Sequence, residues 1–147
     1  PAYRLAHEHG YGCTVHAGEV VGPESVWAAI RDLPVTRIGH GVRSADDPAL
    51  MEELARRGIV LEVCPGSNVA LGLYPDRASH PLHRLIDAGV RVTLNSDDPP
   101  FFHTTLGTEY DLAGLDETRL RGIARTTIEA SFADEATKRR LLQRILP

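Results

Sequence analysis

The sequence predicts an α/β fold of successive parallel βα units, and three observations carry that prediction. Short apolar runs alternate with longer segments of helical periodicity along most of the chain. The runs read as apolar rather than alternating, the pattern of strands covered by helices on both faces. Proline opens several of the helical segments and glycine closes them, at Pro23 and Pro48 and at Gly10, Gly58 and Gly89.

Taken in order, "YRLAHEHG" (3–10) reads as the closing turns of a helix stopped by Gly10. "GCTVHAGE" (12–19) follows as a strand ending near His16. "PESVWAAIRDL" (23–33) is a helix with Val26, Trp27 and Ile30 at helical spacing, which assigns Trp27 to the core. "RIGHG" (37–41) is the second strand. "ADDPALMEELARRG" (45–58) is a helix capped by an aspartate, with Leu50 and Leu54 on one face. "IVLEVCP" (59–65) is the third strand. "SHPLHRLIDAG" (79–89) is a helix with Ser79 as its cap, leading into "VRVTLN" (90–95), the fourth strand. Helices then take over at 104–114, 116–132 and 134–146, the last two opened by Asp116 and Asp134. No low-complexity linker interrupts the chain.

Composition narrows the function. A net charge of −4 with no basic block argues against a nucleic-acid backbone as partner. No apolar run approaches the roughly 20 residues needed to span a bilayer, so no membrane partner is expected. Two cysteines cannot build a disulfide framework, and no signal peptide precedes the first strand, so a cytoplasmic protein is expected. The chain starts at Pro1, without methionine and in mid-element, which favours a fragment of a longer product.

The chemically capable residues fall at strand ends. His16 and Glu19 follow the first strand, His40 ends the second, Cys64 to Asn68 follow the third, and "SDDP" (96–99) follows the fourth. In a parallel sheet those C-terminal ends share one rim, where active sites are built. A lone histidine or aspartate is ordinarily structural. Four successive strands delivering His, Glu, His and Asp to one rim weaken that reading. Neutral imidazole and carboxylate are good zinc ligands, and a catalytic zinc keeps one position for water. A nearby carboxylate such as Glu19 can shuttle protons.

"TVHAGE" (14–19), "RIGHG", "LEVCPGSNVALG" (61–72) and "VTLNSDDPPFF" (92–102), in that order, resemble the second half of the adenosine deaminase family, a zinc-dependent branch of the amidohydrolase TIM barrels. The resemblance runs from Pro1 to the C-terminal helices. It implies a C-terminal half of a TIM-type (β/α)8 barrel, about four βα units plus terminal helices, as one partial domain over 1–147. It implies one zinc per complete active site, with His16 and Asp97 as metal ligands, Glu19 as proton shuttle toward the purine, and His40 against the zinc-bound hydroxide. Asp98 would hydrogen-bond the purine. The implied reaction is hydrolytic deamination of adenosine or 2'-deoxyadenosine, with adenine or another 6-aminopurine nucleoside as the alternative substrate. A non-catalytic half-barrel is the alternative from another class.

The family's His-x-His zinc ligands, from the first barrel strand, have no counterpart here. "HEH" (7–9) lies in a helix before the first strand, so His7 and His9 read as a polar helix end. A full barrel needs about 250 residues. The expected partner is therefore the missing N-terminal half or a second copy, and the 147-residue chain alone is expected neither to bind zinc tightly nor to catalyse. Cys13 and Cys64 read as buried small hydrophobes, Ser67 as no nucleophile, and Phe101 and Phe102 as packing groups. His80, His83 and His103 read as surface polar residues.

Overall fold

The computed structural model describes residues 2–145. In chain order it contains α1 (Ala2–Glu8), β1 (Thr14–Ala17), α2 (Pro23–Asp32), β2 (Arg37–His40), a 3-10 turn (Val42–Asp46), α3 (Pro48–Arg57) and β3 (Val60–Val63). There follow α4 (Pro65–Ala70), α5 (Leu82–Asp87), β4 (Arg91–Leu94), α6 (Pro99–Phe102), α7 (Leu106–Asp111), α8 (Glu117–Ala130) and α9 (Glu135–Ile145). Leu146, expected to end the last helix, lies outside the described residues. The strands form one sheet in the order β1-β2-β3-β4, every neighbouring pair parallel. These are four consecutive βα units, half the strand count of a (β/α)8 barrel, as expected.

The helix ends follow their chemistry. Asp47 accepts from the backbone N–H groups of Ala49 and Leu50, at 3.0 and 3.2 Å, and Gly58 closes α3 in the left-handed region at φ +67°. Asp47 also takes the Trp27 indole N–H at 2.8 Å, so Trp27 ties α2 to α3 and is half-buried rather than central. Ser79 does not cap α5. Its N–H and hydroxyl both donate to Asp76, and the helix begins after Pro81. A residue before proline is driven out of helical geometry, so His80 cannot lie within the helix. The short helices α4 and α6 were not anticipated, although Pro65 and Pro99 stand at the first position of each, where proline is favoured.

Most residues of β2, β3 and β4 are buried, as covered strands require, but their polarity alternates, Val60 excepted. The parallel register aligns His16 with Gly39, Gly39 with Glu62 and Glu62 with Thr93 in one row across the sheet. On that face Thr14 donates to Glu62 at 2.7 Å, and Arg37 pairs with Glu62 at 3.3 Å. The other face carries Ile38, Leu61, Val63, Val92 and Leu94, buried in the same core as Val26, Leu50, Leu54 and Leu85 of the helices. Each such side chain contributes about 1.5–3 kcal/mol by burial. So one face makes the core, and the other holds polar groups beneath the rim.

One buried ion pair fixes the segments above β3 and β4. Glu109 of α7, with no exposed surface, receives Arg77 through two bonds of 3.0 Å, the Gly66 N–H at 3.0 Å and the Thr104 hydroxyl. Burial raises the Glu109 carboxyl, but the Arg77, Thr104 and Gly66 donors outweigh it and hold it below its usual value. A Cβ at position 66 would stand 2.2 Å from Glu109 Oε1, so only glycine fits. Among the described residues no helix is long and apolar enough to cross a membrane.

Candidate active site

The C-terminal ends of the four strands share one rim, and a cavity of about 400 Å³ opens beside them. His16, His40, Cys64 and Asp97 all line it. His16 projects from β1 over Gly39, where a side chain would lie 3.1 Å from the imidazole. The rings of His16 and His40 are 5.2 Å apart between centroids.

His40 and Asp97 both have left-handed backbones, at φ +59° and +57°. Such geometry costs a residue with a Cβ roughly 1–2 kcal/mol, and it persists where the surroundings over-determine it. Here it turns two side chains, from the ends of β2 and β4 with β3 between them, toward one space.

His40 is almost completely buried. Its Nδ1 lies 3.3 Å from Asn68 Nδ2 and 3.5 Å from Glu19 Oε1, and its Nε2 lies 3.8 Å from Asp97 Oδ2. Burial pulls its pKa below the ordinary histidine value, against the opposing pull of the Glu19 and Asp97 carboxylates; nearby His16 adds to the fall. The ring is therefore neutral near pH 7, the form that can ligate a metal or both donate and accept. The Ser67 hydroxyl donates to Asp97 Oδ2 at 2.5 Å.

A nitrogen of His40, the Cys64 sulfur and an oxygen of Asp97 lie within 4.8 Å of one another. With His16 on the same cavity, the donors at hand are two imidazoles, a carboxylate and a thiol, a set that fits zinc. The thiol is the poorest of these. Burial, then the Asp97 and Glu109 charges, push Cys64 up to about 12, and its S–H points at the Glu62 carbonyl, 3.6 Å away. It packs as a protonated, buried side chain, as expected.

The expected site residues thus come together unevenly. His16, His40 and Asp97 line the cavity, and Glu19 approaches His40 from the β1–α2 loop. Asp98 stands apart, exposed at the N-cap position of α6 without a side-chain capping bond. Phe101 stays out of the core, 78% exposed with its ring 6.3 Å from that of half-buried Phe102. His7, His9, His83 and His103 are exposed, in line with surface roles, whereas His80 is buried at 5% exposure, contrary to expectation. Three residues with clear local roles went unrecognised: Ser67, Asn68 and His80. The "CPGSN" stretch, within the third motif of the resemblance, is the sequence signal for Ser67 and Asn68; nothing local marks His80.

Residues 1–147 match the family described as adenosine deaminase. The adenine deaminase of Agrobacterium fabrum is 54% identical over 98% of this chain and 46% of its own length, and that of Rhizobium meliloti is 52% identical over 96% and 45%. The chain therefore spans about half the length of the curated relatives it matches. The crystal structure of adenine deaminase from Arthrobacter aurescens superposes with a TM-score of 0.92 at 32% identity, over 97% of this chain and 45% of that one. An amidohydrolase from Burkholderia ambifaria with bound Zn gives a TM-score of 0.88 at 30% identity, over 98% and 42%.

Proposed function

The chain belongs to the adenosine deaminase family, and from that premise we propose that the full-length protein hydrolyses adenine to hypoxanthine and ammonia. Relatives 52–54% identical across nearly all of this chain carry the name adenine deaminase, which supports adenine ahead of adenosine and 2'-deoxyadenosine. The observation that carries the chemistry is the gathering of two imidazoles and a carboxylate on one cavity, with Glu19 3.5 Å from His40.

In this reading His16 and Asp97 hold one zinc, the remaining ligands coming from polypeptide outside 1–147, which forms one partial domain of the barrel. When bound, zinc lowers the pKa of a water it holds toward about 7. The residues of this chain do the rest. Ser67 orients Asp97 through their 2.5 Å hydrogen bond. His40 turns Nε2 toward Asp97 and donates to the oxygen that attacks purine C6. Glu19 carries the proton to N1, and C6 becomes tetrahedral. Ammonia then leaves with a further proton, restoring the ring. Asp98, open to solvent here, receives a hydrogen bond from the purine edge.

Ammonia release by the purified full-length protein, with adenine and adenosine as rival substrates and zinc measured on the same sample, tests this. Higher kcat/KM for adenine supports the reading. A preference for adenosine overturns the substrate assignment. A zinc-loaded protein that releases ammonia from neither overturns the activity.

A further inference from the structure

We infer that a hydrogen-bond relay from the Leu82 backbone N–H through His80 and Asn68 dictates which ring nitrogen of His40 carries its proton, making Asn68 and His80 positioning residues for His40. The relay has a fixed origin, because a backbone N–H can only donate. Leu82 N–H points at His80 Nδ1, 3.2 Å away, so that nitrogen must be bare and the proton of His80 must sit on Nε2. His80 Nε2 then donates to Asn68 Oδ1 at 3.1 Å, which settles the orientation of the amide. The amide NH2 is left facing His40 Nδ1 at 3.3 Å. An NH2 group cannot accept, so Nδ1 of His40 is bare and its proton lies on Nε2, toward Asp97 Oδ2 at 3.8 Å and the cavity.

The opposite outcome has an advocate. Glu19 Oε1 stands 3.5 Å from His40 Nδ1, and a carboxylate there would draw the proton to that nitrogen. Burial decides against it. Glu19 keeps 21% of its side chain in solvent and can be hydrated, whereas Asn68 is fully buried and His80 is 5% exposed. Moving the His40 proton to Nδ1 would set it against the Asn68 NH2, leaving two buried donors face to face with no water to accept from either. His80 is also kept in the neutral form the relay needs. Burial lowers it to about 4, the Arg77 and His83 charges add to that, and only Glu109 opposes them.

The three side chains come from three elements: the end of β2, helix α4 and the segment ahead of α5. Their catalytic consequence rests on the deaminase reading: Nε2–H becomes a fixed donor for the attacking oxygen, and Glu19 is spared a bond to His40. The proton position itself does not rest on that reading.

The test is a long-range ¹H–¹⁵N spectrum of the full-length protein with ¹⁵N-labelled histidine, metal-free and zinc-loaded, near pH 7.5. Wild type is expected to show His40 protonated on Nε2 and bare on Nδ1. Asn68→Asp, which can only accept, is expected to move the proton to Nδ1. His80→Phe is expected to populate both forms and to lower kcat roughly ten- to a hundredfold with zinc content unchanged, the usual scale for groups that orient a site residue from behind. His80→Gln, able to accept from Leu82 and donate to Asn68, is expected to restore the Nε2–H form. A wild-type His40 protonated on Nδ1 would overturn the inference, whether or not the variants fold. So would His80→Phe with His40 still protonated on Nε2 alone.

Discussion

Replacing His80 by glutamine should flatten the acid limb of the stability curve. In the folded state His80 is buried and its pKa falls from 6.5 to about 4. Arg77, His83 and Glu109 are the charged groups around it, and Tyr74 packs edge-on at 5.0 Å. The unfolded chain therefore binds a proton between those two values that the folded protein refuses. Stability from this residue is fully present above about pH 6.5 and is lost as pH falls toward 4, with no further loss below. At about 1.4 kcal/mol per pH unit, the loss across that window comes to roughly 3 kcal/mol, a large share of a typical domain's stability. Other carboxylates and histidines titrate in the same range, so the quantity to read is the difference between wild type and His80→Gln. Urea unfolding of metal-free protein at several values between about pH 7 and 4 should show wild type losing roughly 3 kcal/mol more than the variant, nearly half of it by about pH 5.5. Parallel curves would refute the reasoning, and so would an NMR titration of His80 centred near 6.5.

Asp97→Ala in the full-length protein should remove zinc and activity together; metal analysis with zinc unchanged would count against Asp97 as a ligand. Glu19→Gln should keep the metal and lose about 10²- to 10⁴-fold in kcat, since an amide cannot shuttle protons; near wild-type turnover would put the shuttle elsewhere. Gly66→Ala should destabilise by about 1–3 kcal/mol, the usual cost of overpacking, because its methyl would stand 2.2 Å from Glu109 Oε1; an unchanged melting midpoint would show that the Glu109–Arg77 pair can shift freely.

Local signals gave away most of the fold and the outline of the site. Asp47, Pro48 and Gly58 bounded α3 because capping is a matter of a few adjacent atoms. The strand ends were legible because glycine and proline punctuate them, and His16, His40 and Asp97 could be set on one rim because parallel strands share their C-terminal edge. What stayed hidden depends on contacts far apart in sequence. His80 beside Pro81 reads as a surface histidine before a helix; only the fold brings it to Asn68, and Asn68 to His40. Glu109 in "GTEYD" has the look of a solvated carboxylate until Arg77 and Gly66 close over it. In the sequence the mostly apolar β3, Val-Leu-Glu-Val, masks the polar face. The parallel register then revealed a row of His16, Gly39, Glu62 and Thr93 on the face opposite the core.

The site holds two strained residues at its rim. Left-handed backbone at His40 and Asp97 costs the fold roughly 1–2 kcal/mol at each, and neither residue recovers it through core packing, since both turn toward the cavity. The anchors lie two or three residues back along the chain or across a hydrogen bond. Ile38 and Leu94 are buried just before each turn, Asn68 grips the His40 ring, and Ser67 grips the Asp97 carboxylate. Ser67 and Asn68 are next to each other on α4, and α4 is itself pinned at Gly66 by Glu109. One short helix thus holds both strained side chains, while its own position is set by a buried ion pair outside the cavity. Loosening that pair should therefore disturb His40 and Asp97 together, though neither touches it.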